Sequence, residues 1–129
     1  MLLHGDLTER IIGAFLHVYD ALGFGFLESV YRRALAHELR KRGMRVECEV
    51  LIEVWYDGAL VGHFRSDMVV EAKVLVENKA SEHLAKSDRK QLMNYLRSTE
   101  IEVGLLLHFG PRAAFDRIVY TNSAKPVRR

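Results

Sequence analysis

The stretch Asp67-Met68-Val69-Val70-Glu71-Ala72-Lys73-Val74-Leu75-Val76-Glu77-Asn78-Lys79 decides how this chain folds. Two apolar runs flank Glu71 to Lys73, a segment short enough for a tight turn. Val74-Leu75-Val76 is continuously apolar, the pattern of a strand covered on both faces. A three-residue turn pairs Val70 with Val74 and sets Asp67 opposite Glu77. A two-residue turn would send them to opposite faces, because side chains alternate along a strand. Glu77 and Lys79 are two apart and share a face in either register.

Upstream of this stretch the period is also two. Val46, Cys48, Val50, Ile52, Val54 and Tyr56 alternate with polar residues that include Glu47, Glu49 and Glu53, which predicts a half-buried strand over Val46 to Tyr56. Asp57-Gly58 is a hairpin signal, with Leu60 to Val70 as the return strand. Cys48 lies in the apolar register and is expected to be a small core residue rather than a nucleophile.

Before the strands the period is helical. Ile11, Ile12, Phe15, Leu16, Tyr19 and Leu22 predict a helix over Leu7 to Leu22, with Asp6 or Thr8 as its N-cap. Gly23-Phe24-Gly25 breaks it, and a second helix follows from Leu27 to Arg42, stopped by Gly43. After Lys79, Ser81 or Ser87 starts a helix carrying Leu84, Leu92, Tyr95 and Leu96. Ile101 to Phe109 is a further apolar strand, and Phe115 to Tyr120 a last edge strand. A helix between the third and fourth strands makes a crossover, so those two should pair in parallel or lie close together. The expectation is an α/β (α+β) fold with a mixed sheet flanked by helices. It forms one domain over residues 1–129, of which 121–129 are a flexible basic tail.

Composition narrows the function. With 129 residues, 49% of them hydrophobic and 28% charged, the chain has the balance of an ordinary soluble domain. No apolar run approaches the roughly 20 residues that span a bilayer. No secretory signal is visible at the N-terminus, so the expected compartment is the cytoplasm. One cysteine excludes an internal disulfide, a Cys-rich zinc site and a four-Cys iron–sulfur cluster. The net charge of +2 is uninformative, but its distribution is uneven. Arg32, Arg33, His37, Arg40, Lys41, Arg42 and Arg45 crowd one segment, and Lys125, Arg128 and Arg129 end the chain. Such patches suit phosphates, or they are a solvated helix face and a frayed end.

If Asp67, Glu77 and Lys79 converge, two carboxylates and an ammonium share one end of the sheet. A hard divalent cation would offset the cost of gathering the acids there, since Mg²⁺ takes oxygen ligands and keeps several waters. Bound metal acidifies a water and clamps a phosphate, while a lysine can orient the water or stabilise developing charge. The spacing fits equally an ordinary Glu–Lys pair on a solvated strand. Gln91 and Tyr95 are four apart and share a helix face. Glu28 opens the second helix, with Tyr31 one turn on; the glutamate also suits the helix dipole, and both tyrosines suit a core.

In this order and spacing the residues resemble the GxxExxY family, a group within the PD-(D/E)XK nuclease superfamily. The likeness runs from the first helix to about Gly110. It rests on Gly25 to Tyr31, Arg65-Ser66-Asp67, Val76 to Ala80, the Gln91/Tyr95 pair, and the apolar run from Val103 to Gly110. Asn78 stands where the family usually has an apolar residue, and His108 where asparagine is common. The resemblance implies a restriction-endonuclease-like core and a Mg²⁺- or Mn²⁺-dependent nuclease acting on DNA more than RNA. Asp67, Glu77 and Glu28 would be metal ligands and Lys79 the catalytic lysine. Gln91, Tyr95, Tyr31, Arg32 and Arg40 would contact substrate, with Arg33 and the Lys86 to Lys90 segment as further phosphate contacts. The alternative is a non-catalytic or partner-dependent nucleic-acid-binding module of the same fold. A homodimer or a larger protein partner is expected to supply specificity, and no membrane is involved.

Overall fold

The computed structural model describes residues 2–126. The turn that decides the register holds Glu71 and Ala72 in left-handed backbone, at φ of 53° and 55°. It pairs Val70 with Val74, Val69 with Leu75 and Met68 with Val76. This is the three-residue turn, and it sets the order of the whole sheet.

Five strands lie in sequence order: β1 (Val46–Tyr56), β2 (Ala59–Val70), β3 (Val74–Lys79), β4 (Val103–Phe109) and β5 (Ala113–Val119). Neighbours are antiparallel except β3 and β4, which run parallel, as the crossover predicts. That crossover is α3 (Lys86–Arg97). Helices α1 (Gly5–Leu22) and α2 (Glu28–Lys41) cover one face of the sheet and α3 the other. Ile11, Phe15, Leu35 and Leu39 pack on Met68, Val76, Leu105 and Phe109, whereas Leu92, Tyr95 and Leu96 pack on Ile52, Leu75 and Leu106. β3 and β4 are therefore buried on both faces, which is why their sequences do not alternate.

Four local expectations need correction. α1 begins at Gly5 after His4 in left-handed backbone, and neither Asp6 nor Thr8 is its N-cap. Thr8 is buried and donates its hydroxyl back to Gly5 O, at 3.1 Å. α3 begins after Ala85 rather than at a serine, because the Asp88 carboxylate accepts the Ala85 N–H at 2.9 Å. Ser81 instead donates to His83 O.

Cys48 is exposed, not in the core. Glu49 beside it adopts φ of 53°, so the strand bends there. Val46, before the bend, packs with α1 and α2, and Ile52, after it, packs with α3; Cys48 falls between the two covers. Of the expected basic tail, residues 121–126 are tied down. Lys125 Nζ donates to Thr99 O and Ile101 O at 2.9 and 2.6 Å, and Asn122 N–H to Glu102 at 2.7 Å. Residues 127–129, with Arg128 and Arg129, lie outside the described residues.

Tyr31 also departs from its expected place at the substrate. Its ring is fully buried and stacks on Phe109 with centroids 4.4 Å apart. Its hydroxyl donates to Gly23 O and accepts the Phe26 N–H. It therefore ties the α1–α2 loop to the core, across Gly25, whose φ of 123° suits glycine. Tyr31→Phe keeps the ring and strips both bonds, and should lower unfolding free energy by about 1–3 kcal/mol in urea titrations.

Candidate active site

The β2–β3 ladder stops at Met68 and Val76. Where the next rung would be, side chains take over from backbone. Asp67 N–H donates to Glu77 Oε1 at 3.1 Å, and Asn78 N–H donates to Asp67 Oδ2 at 2.7 Å. Each carboxylate thus satisfies a backbone donor orphaned as the strands part. Among the described residues, Asp67 Oδ1 and Glu77 Oε2 make no protein hydrogen bond.

This placement has an electrostatic cost. Glu77 is 3% exposed, and burial, then the neighbouring Asp67 charge, pushes its carboxyl from the ordinary 4.5 to about 8. Burial also raises Asp67, against the pull of the Asn78 N–H and of Lys79. Glu28, first residue of α2, is raised by partial desolvation and then by Asp67. The Tyr95 phenol is raised by burial and by the Glu77 and Asp67 charges, so α3 faces the same acids.

Lys79 is held from α3. Its Nζ donates to Gln91 Oε1 at 3.2 Å and lies 3.9 Å from Asp88 Oδ1. Asp67, Glu77, Lys79, Gln91 and Tyr95 are therefore brought together, a convergence the sequence left conditional on the register. Arg32 lies beside them, acting on both Glu28 and Asp67 and pairing with Glu49 at 3.8 Å. Arg40 does not join them. It stands twelve residues beyond Glu28 on a helix leading away, about 18 Å along the axis, and its guanidinium donates to Val46 O at 2.8 Å. Much of the basic crowd around it is spent within the fold, Arg42 on Glu38 and Arg45 on Glu71.

Among the described residues, no three His, Cys, Asp or Glu side chains are gathered tightly enough to enclose an ion by themselves. Glu28 is within electrostatic reach of Asp67 without closing such a cluster. The residues nonetheless fit a hard divalent cation. Mg²⁺ is commonly held by one or two carboxylates and its own waters, and Asp67 and Glu77 each keep one oxygen off the backbone. A cation there would relieve the burial and mutual repulsion that raise their protonation.

Three neighbours of the site escaped the sequence reading. Asp88 both caps α3 and flanks Lys79, but the residue it caps is alanine, so the usual signal at that position is missing. Glu49 reads as one of several solvent-facing acids of β1 until its left-handed backbone is seen. Asn78 is fully buried on the face of β3 opposite Glu77, with neither carboxamide atom hydrogen-bonded, although its amide lies close enough to Asp67 to favour that charge.

A sequence model of the PD-(D/E)XK nuclease superfamily matches residues 5–118, which contain every residue of the cluster. Among solved structures, that of SSO0001 superposes with a TM-score of 0.58 over 92% of this chain at 19% identity. The chain spans 60% of that protein's length, and at this identity the likeness concerns the fold alone. No curated protein matches the chain.

The raised acids make stability fall with pH. Between 4.5 and about 8 the unfolded chain has released the Glu77 proton while the folded chain keeps it, so rising pH favours unfolding until the folded group titrates too. Metal-free protein should therefore have a higher urea midpoint near about pH 5.5 than near about pH 8.5. Glu77→Gln should flatten that difference, whereas an unchanged slope would contradict the assignment.

Proposed function

Because the chain belongs to the PD-(D/E)XK nuclease superfamily, we propose that its Asp67–Glu77–Lys79 cluster hydrolyses phosphodiester bonds with the help of Mg²⁺ or Mn²⁺. The observation that carries the reading is the reciprocal bonding of Asp67 and Glu77 to each other's strand beside a lysine tethered by Gln91. A pair of buried carboxylates with free oxygens suits a cation, and a tethered ammonium next to it suits a phosphate.

Asp67 and Glu77 would hold the cation, with Glu28 as a third acid from α2. Once bound, the metal supplies an acidified water and neutralises charge on the phosphate. The chain's own part is positional. Gln91 Oε1 and Asp88 hold the Lys79 ammonium where it meets the attacking water or a non-bridging phosphate oxygen. As water adds to phosphorus and releases a proton to solvent, the bond to the leaving oxygen breaks, that oxygen takes up a proton from water, and the ammonium would offset the charge that builds on the phosphate. Packing around Tyr95 and Leu92 keeps the α3 side dry, so that the charges act in a low dielectric.

The finer reading is a GxxExxY-type protein acting on DNA, and the motif fits its places in the fold. Gly25 permits the loop, Glu28 faces the acids, and Tyr31 pins the loop to the core. The proposed compartment is the cytoplasm, and a second copy or a larger protein would supply target choice.

Purified protein with DNA and Mg²⁺ should release fragments. Lys79→Ala should slow release at least about 100-fold and leave Mn²⁺ binding, followed calorimetrically, close to wild type. Asp67→Ala and Glu77→Ala should lose both metal binding and cleavage. Cleavage that persists unchanged in all three variants would sink the proposal.

A further inference from the structure

Phenylalanine rings stand exposed on both sides of the acids. Phe24 and Phe26, 45% and 48% exposed, are in the loop that leads into Glu28, and Leu27 between them and the helix is 77% exposed. This is no loose segment, since the Phe26 N–H is held by the Tyr31 hydroxyl and the Phe26 ring meets the Tyr31 ring edge-on at 6.1 Å. On the α3 side Phe64, 48% exposed, stands three residues before Asp67 and 5.7 Å from the Tyr95 ring. Tyr95 in turn feels the Glu77 and Asp67 charges. Arg32 and the exposed Arg33 follow Glu28 on α2, and the exposed Lys86 and Lys90 stand in the first turns of α3.

We infer that the site takes an unpaired nucleic-acid strand, whose bases stack on Phe26 and Phe64 to either side of Asp67 and Glu77. The inference rests on the nuclease reading of that site and adds its substrate class. Half-exposed rings with cations on the neighbouring helices suit unpaired bases, because every base offers a π-face and stacking tolerates any sequence. Bases within a duplex are already stacked on their neighbours and offer no face.

Binding is measured by fluorescence anisotropy without divalent metal, at fixed low salt. The probes are labelled oligothymidylate, oligouridylate, and a DNA hairpin duplex of equal nucleotide count. Wild type should hold both single strands at least about tenfold more tightly than the duplex. Phe26→Ala and Phe64→Ala should each lose roughly 5- to 100-fold on single strands and less than about twofold on the duplex. Phe26→Leu and Phe64→Leu keep apolar bulk and the fold but should lose as much as alanine, while Phe26→Trp and Phe64→Trp should retain binding. Equal affinity for strand and duplex would overturn the inference. So would rescue by leucine, or variants that alter self-association in light scattering but not strand affinity. Intact, ring-dependent strand binding without any Mg²⁺-dependent cleavage would instead overturn the nuclease reading alone.

Discussion

The arrangement of the candidate site depends on one exchange, in which two carboxylates replace a rung of backbone hydrogen bonds where β2 and β3 separate. The exchange requires the register set by Glu71, Ala72 and Lys73. Two successive non-glycine residues in left-handed backbone are costly, and the surroundings must hold them. Glu71 N–H donates to Arg45 O, Arg45 N–H donates to the Glu71 carboxylate at 2.6 Å, and Lys73 N–H closes on Val70 O. A β1 neighbour thus clamps the turn, and the clamp places Asp67 opposite Glu77 about four residues away. A slip of one residue would send one acid to the α1–α2 face and the other to α3.

Around that point the helices act as walls with different tasks. α1 and α2 bury one face through Phe15, Leu35 and Leu39, and α2 delivers Glu28 at its first residue. α3 buries the other through Leu92 and Leu96, and turns Gln91 and Tyr95 toward Lys79 and the acids. The parallel pairing of β3 with β4 places Lys79 beside His108, whose Nε2 lies 2.6 Å from Ser81 O. That contact fastens the segment leaving the site back onto the sheet.

The sheet order was legible because its strands carry strong, physically distinct patterns: alternation in β1, an Asp-Gly hairpin, and continuous apolar runs in β3 and β4. Whether the acids face each other turned on one residue of turn length, which the sequence left open and the left-handed Glu71 and Ala72 settle. What stayed hidden depends on the third dimension. Cys48 obeys its period but sits where the strand bends between two covers. Arg40 belongs to a basic segment that includes Arg32, yet the helix carries it three turns from the acids. Tyr31 reads as a motif residue in either role, and only its burial against Phe109 shows which backbone it holds. The start of α3 was misplaced because its capping partner is an acid inside the helix rather than a serine before it.

That acid, Asp88, has a consequence of its own. One of its oxygens holds the first turn of α3 and the other lies beside the Lys79 ammonium. Helix start and ammonium therefore share one counter-charge. The place of the lysine is in this sense tied to where the helix begins.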